Sequence, residues 1–315
     1  MQTPENKLVR FDWAMKRLLR NKANFAVLEG LLTTLLNEKI TIKNLLESES
    51  NQEYESDKYN RVDILAQDSK NQLILIEIQN NSEIAYFQRM LFGTSKLVTE
   101  YIQRGQDYAD IRKIYSVNIV YFALGRGSDY VYHGKTEFRG IHTNELLDLS
   151  PFQKAEFNVD AVSQLYPEYY ILRVNGFNKV AKSPLEEWIY YLNTGEIPAT
   201  ATAPGLDVAR ERLKLARMSK EELAAYYRHL DDVVVIRNNI YTARKEGCFD
   251  GHAKGLAEGL AKGREEGLAQ GLVKGREEGF AEEKRKNARK MKELGIDANI
   301  ISQVTGLSPE EINAL

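Results

Sequence analysis

A single cysteine, Cys248, stands in 315 residues, which excludes an internal disulfide and any multi-cysteine zinc cage. That usage fits a reducing compartment, and a cytoplasmic location is the expectation. Charge of one sign is equally scarce: 43 Lys and Arg face 45 Asp and Glu, a formal net charge of −2. Contact with nucleic acid therefore has to come from local patches rather than from a basic surface. No apolar run approaches the ~20 residues of a membrane span, and no apolar signal core opens the chain, so neither insertion nor export is expected. The histidines His133, His142, His229 and His252 are scattered without ligand spacing, and each reads as a surface or packing residue. No Gly-x-Ser-x-Gly or Cys/His nucleophile arrangement is present. Gly134-Lys135-Thr136 imitates the end of a phosphate-binding loop, but Asp129 stands where that loop needs glycine.

What the chain does have is a 43% hydrophobic share, enough for the core of one large domain or two modest ones. Leu28, Leu31, Leu32, Leu35 and Leu36 recur at helical spacing and predict an amphipathic helix within 11–37. A strand over 40–46 and a polar loop over 47–58 follow. Two strand-like stretches, 60–66 and 73–79, are joined by the turn formers of 67–72, which predicts an antiparallel hairpin. From Ile84 the apolar positions Phe87, Leu91, Val98 and Ile102 mark a second helix, and 114–122 reads as a buried strand. Short strands are expected around 136–141 and 169–174, a helix from Pro184 through Leu192, a linker over 198–204, and a helix starting near Glu221 behind the capping box Ser219-Lys220-Glu221-Glu222.

The hairpin carries the first clue to chemistry. Asp63 interrupts one apolar strand and Glu77 the other. Desolvating an ionised acid costs several kcal/mol unless a cation or hydrogen bonds compensate it, so two acids in adjacent apolar strands suggest a bound metal. Side chains alternate along a strand, which puts Glu77 and Gln79 on one face and lets Asp63 meet them across the hairpin. Carboxylate oxygens of that kind suit Mg²⁺, and a metal-bound water is a natural nucleophile for phosphodiester hydrolysis. The competing reading is a structural ion pair of these acids with Arg61 or Lys58.

Glycine stands at every fourth position from Gly247 to Gly279, and GLAEGLAKGREE is followed directly by GLAQGLVKGREE. Four residues turn an α-helix by about 400°, so the glycine row drifts about 40° per step and forms no flat face. Either a partner chain follows this winding groove, making a homo-oligomer, or the segment is a solvated spacer. The chain closes with a helix, a turn at Gly306 and a short helix capped by Ser308, which reads as a helix-turn-helix or as a small coupling hairpin.

Arg61-Val62-Asp63 and Ile76-Glu77-Ile78-Gln79 resemble the PD-(D/E)XK nuclease signature, in a variant with glutamine where lysine usually stands. The recombination-promoting nuclease and transposase family is the closer resemblance. Phe11-Asp12-Trp13-Ala14-Met15-Lys16 resembles its opening motif, Phe87-Gln88-Arg89 with Ser95-Lys96-Leu97 its following helix, Tyr115-Ser116-Val117-Asn118-Ile119 its next strand, and the glycine-periodic tail its C-terminal style. The resemblance implies an α/β restriction-endonuclease-like core of mixed β-sheet flanked by helices over 1–150, a mixed and then helical extension over 151–245, the tail over 246–286 and the hairpin over 287–315. It further implies a Mg²⁺-dependent DNA endonuclease, Mn²⁺ or Ca²⁺ being alternatives. Asp63 and Glu77 would bind the metal, the Ile78 carbonyl would complete the site, and Gln79 would hold the water. Glutamine cannot supply lysine's charge, which keeps open a degenerate protein that binds DNA or governs assembly without cutting. Arg89 and Lys96 are candidates for the missing charge. On a helical wheel, however, Gln88 and Ser95 flank the apolar stripe of Ile84, Leu91 and Val98 and are the expected neighbours of the site. Asp12 and Lys16, one turn apart, are supporting candidates or a surface pair.

Overall fold

The computed structural model describes residues 7–17, 19, 22–46, 64–102 and 106–315. The chain divides into two units, the first ending at Val233 and the second spanning Val234–Leu315. In the first, strands β1 (Ile42–Leu46), β2 (Ile64–Asp68), β3 (Leu73–Gln79), β4 (Ile114–Val120), β5 (Val131–Gly134) and β6 (Glu168–Arg173) form one sheet in the order β1-β2-β3-β4-β6-β5. The β1-β2, β2-β3 and β5-β6 pairs are antiparallel, whereas β3-β4 and β4-β6 are parallel. This is the mixed sheet expected. The helices of this unit are α1 (Phe11–Arg17), α2 (Phe25–Leu36), α3 (Tyr86–Tyr101), α4 (Pro151–Phe157), α5 (Pro184–Thr194) and α6 (Leu206–Arg212).

β3 is the centre of the core because its alternation feeds two layers at once. Ile74, Ile76 and Ile78 pack with Phe11, Leu28 and Trp188, from α1, α2 and α5. Leu73 and Leu75 pack on the other face with Leu97 of α3. A sequence buried on both faces reads as a near-continuous apolar run, which is how Leu73–Gln79 was recognisable.

Several expectations change. The helix expected over 11–37 is two helices with a 3-10 turn at Lys22–Asn24 before α2. Residues 11–15 are buried consecutively, so that part of α1 has no solvent face. On α3 the buried residues are Tyr86, Met90, Thr94 and Leu97, while Phe87 and Leu91 are 52% and 59% exposed. The helix is turned this way because Tyr86 packs edge-on against Phe122 and because Gly93 lets the backbone approach β3, a Cβ there standing 3.3 Å from Leu75. No strand forms over 136–141; Arg139 and Leu146 make an isolated bridge, and the edge strand is β5 instead.

The expected linker over 198–204 is pinned down. Glu187 accepts from the amides of Thr202 and Ala203 at 2.8 and 2.7 Å, and Trp188 Nε1 donates to the Pro204 carbonyl at 3.2 Å. Pro204 and Gly205 press on α2: a Cβ on Gly30 would lie 2.2 Å from the Pro204 oxygen and 2.6 Å from Gly205 Cα. Backbone cannot yield as a side-chain tip does, so Gly30→Ala is expected to destabilise by about 1–3 kcal/mol, the overpacking range. A urea melt checks this, and an unchanged midpoint would contradict the close approach.

Helix α7 (Lys220–Glu293) is 74 residues long. Its first turns belong to the first unit, where Tyr226 is buried; its remainder, α8 (Ala298–Thr305) and α9 (Pro309–Asn313) make up the second. There Ala288, Ile301 and Ile312 form a small core, Lys292 donates to the carbonyls of Ile312 and Asn313 at 3.0 Å each, and Ser308 with Glu311 makes a capping box. Among the described residues no helix is long and apolar enough to cross a membrane.

Candidate functional site

Alternation along β3 sends Glu77 to the same face as Leu73 and Leu75, toward α3. The residue is 7% exposed, a position where an ionised group needs a cation or donors. Arg89 of α3 provides one: its Nε stands 3.4 Å from Glu77 Oε2, and its Nη1 lies 3.3 Å from Glu83 Oε2. The guanidinium is thus held between two acids, with its side chain 18% exposed. Opposite Glu77 in the parallel register lies Asn118 of β4, itself buried. Asn118 donates to Ser116 Oγ at 2.9 Å and accepts from the Tyr86 hydroxyl at 3.2 Å, which fixes the start of α3 against the wall of the site. Gln79 closes the strand half-buried, and its carbonyl accepts from Tyr121 N at 2.9 Å.

Paired register on the other side of β3 is described as far as Ile64↔Ile76. Asp63, the residue before Ile64, lies outside the described residues, as do Arg61 and Lys58. On α3 the helical-wheel expectation is reversed. Gln88 and Ser95 are exposed, Arg89 reaches Glu77, and Lys96 pairs with Glu100 at 3.6 Å. The reason is the rotated buried face: with Tyr86 and Met90 inward, position 89 flanks the packed side and position 88 does not.

Asp12 is fully buried in a hydrogen-bonded cluster. It accepts from Arg10 Nε and Nη2 at 3.1 Å each, from its neighbour's amide, Trp13 N, at 2.9 Å, from Asn80 Nδ2 at 3.1 Å and from His229 Nε2 at 3.2 Å. Burial pushes its pKa up, but the His229 hydrogen bond and the Arg10 guanidinium more than offset that and hold it below the ordinary carboxylate range. The expected Asp12–Lys16 surface pair is therefore replaced for Asp12 by Arg10 and His229; the Lys16 side chain lies outside the described ones. Asn80 follows Gln79 directly, so this cluster clamps the end of the strand that carries Glu77. Ile78 points to the opposite face from Glu77, among Ile74 and Ile76.

Chemically the described donors are hard oxygens, one carboxylate and one side-chain amide beside a backbone carbonyl, which suit a cation of the Mg²⁺ type better than a soft metal. Among the described residues no three His, Cys, Asp or Glu side chains are grouped for a metal. Sequence reasoning missed Arg10, Asn80, Asn118 and His229. For Asn118 a signal existed, since an amide inside the apolar run of β4 is the same anomaly as an acid inside β3.

Residues 9–240 match the model of the PD-(D/E)XK nuclease family transposase, and residues 281–315 match that of the C-terminal HTH domain of the Rpn/YhgA-like nuclease family. No curated protein and no solved structure gives a significant match.

Proposed function

Since the chain belongs to the PD-(D/E)XK nuclease family transposases, we propose that it is a Mg²⁺-dependent DNA endonuclease acting in recombination or mobile-element processes in the cytoplasm. The observation that carries this reading is Glu77, a carboxylate buried on the central strand and faced by the Arg89 guanidinium. Asp63 precedes the residue paired with Ile76, and Glu77 follows Ile76, so both acids are assigned to one metal, with the Ile78 carbonyl as a third donor. When bound, the metal would lower the pKa of a water and neutralise charge on the phosphate. Gln79 would orient that water through its amide. Arg89 would stand in for the lysine that this family's signature has at position 79, stabilising the charge that develops on the phosphate. The HTH match supports DNA as partner.

The test is nicking of supercoiled plasmid by the purified chain with Mg²⁺ and with EDTA. Cleavage that persists in EDTA, or none with either Mg²⁺ or Mn²⁺, rejects the reading. Arg89→Ala is expected to lower the cleavage rate by about 10²–10³-fold, the range for removing one preorganised donor, with DNA affinity little changed in a gel-shift titration. Gln79 favours one second reading, a fold that binds DNA without cutting. Under it Glu77 variants bind DNA as wild type does, the wild type does not nick, and Gln79→Lys creates activity where none existed.

A further inference from the structure

The glycine row of α7 has no account inside a single chain. On each glycine from Gly247 to Gly279 a Cβ would meet nothing within 4 Å, so alanine fits everywhere and would make a better helix. Written in fours from Gly247, the segment sorts largely by residue class into four columns. The first column is glycine throughout. The second holds Cys248, Leu256, Leu260, Leu268, Leu272 and Phe280, interrupted by His252, Arg264 and Arg276. The third is mostly small, with Ala253, Ala257, Ala261, Ala269, Val273 and Ala281, interrupted by Phe249, Glu265 and Glu277. The fourth carries only charged or amide side chains, from Asp250 to Glu282.

At 3.6 residues per turn such columns wind round the helix and define no face; the pattern is regular only at a period of four. Two helices keep a repeat longer than 3.6 in contact by supercoiling right-handedly. Rows of i±4n residues interdigitate when the axes cross at about −50°, near the roughly −40° of glycine-mediated pairs. Two further observations concern the side chains. The leucines of the second column are 59–73% exposed, and Gly267, Leu268, Gly271 and Leu272 line a concavity on the helix. The fourth column satisfies itself along the helix, through Lys254–Glu258 and Lys262–Glu266 at 3.9 Å and Lys274–Glu278 at 3.8 Å, leaving the apolar column uncovered.

We propose that residues 247–282 pair with the same segment of a second copy of this chain, parallel and in register, as a right-handed helical pair with the second column at the seam. A second copy is the fitting partner because it brings the same period, which an ordinary heptad helix does not match. Parallel register covers the whole row and sets each seam residue across from its own copy, so Arg264 and Arg276 face their like with Glu265 and Glu277, the next residues in sequence, as the adjacent counter-charges. Glycine in the first column lets the backbones approach, and this close approach is what alanine would block.

Sedimentation of the full chain is expected to read twice the 36.0 kDa chain mass. Mild oxidation is expected to link the two copies through Cys248, the sole cysteine and a member of the seam column. Replacing Gly255, Gly259, Gly267 and Gly271 together by alanine is expected to halve the mass while helicity by circular dichroism holds or rises. Leu260→Gln with Leu268→Gln is expected to halve it without touching the backbone. A wild-type chain of single mass, a variant of either kind that keeps the doubled mass, or a dimer that forms no Cys248 link would overturn the proposal. Mass is read without DNA or metal, so this outcome is independent of nuclease activity.

Discussion

Glu77→Gln is expected to reduce Mg²⁺-dependent nicking by about 10³-fold or more. The amide has nearly the carboxylate's shape, so β3 keeps its packing, yet it carries no charge with which to hold a cation. A metal acting on a phosphoryl oxygen contributes several kcal/mol to the transition state, and about 4 kcal/mol corresponds to 10³-fold in rate. Glu77 is 7% exposed, so bulk water does not replace the lost oxygen. Arg89 keeps Glu83 as a partner at 3.3 Å, which limits the structural damage. The measurement is the plasmid nicking rate, with a gel shift and a thermal melt as controls for DNA binding and folding. A variant that folds, binds and still nicks at the wild-type rate removes Glu77 from the site. Asp63→Ala is expected to match it, since two ligands of one metal fail together.

Asp12→Ala is expected to destabilise the fold by about 3 kcal/mol. Breaking a buried pair by removing one partner falls in the range of roughly 3–5 kcal/mol, and the lower end applies because the Arg10 side chain is 27% exposed and can rehydrate. Asn80 Nδ2 and His229 Nε2 also lose their acceptor. The pH dependence has a definite sign. Because Asp12 titrates below the ordinary carboxylate range in the fold, its stabilisation is complete above that range and fades as pH falls toward its folded value. The gap between wild type and Asp12→Asn in urea melts should therefore be constant near neutrality and narrow in acid. A gap that widens in acid would mean that the carboxylate is held protonated instead.

The elements legible in the sequence were those whose signal is local. Leu73–Gln79 announces itself as an apolar run bounded by turn residues, and the Ser308 cap and Gly306 turn follow from side-chain chemistry alone. α3 was legible as a helix but not in its rotation. Its sequence offers two stripes, Ile84, Phe87 and Leu91 or Tyr86, Met90 and Leu97, and only contact with β3 through Gly93 selects the second. That rotation decides whether residue 88 or residue 89 meets Glu77. Glu77 itself was legible because an acid inside an apolar strand is an anomaly that periodicity exposes. The Asp12 cluster was not, because His229 lies 217 residues away and nothing local links the two. The strand expected over 136–141 failed because alternation of mixed residues fixes no partner, and β6 took Val131–Gly134 instead.

Tyr226 and His229 sit on α7 yet belong to the first unit: Tyr226 packs edge-on against Trp13 at 5.5 Å, and its hydroxyl accepts from the Arg10 amide. The border of that unit therefore falls inside a helix and not in a loop. A protease nibbling inward from the C-terminus meets no turn to mark the border, only the point where helical side chains stop being solvated. Digestion is expected to stall close to Val233, and a stop codon placed a few turns earlier, at the head of α7, would release a product that has lost two of the residues buttressing its own first helix.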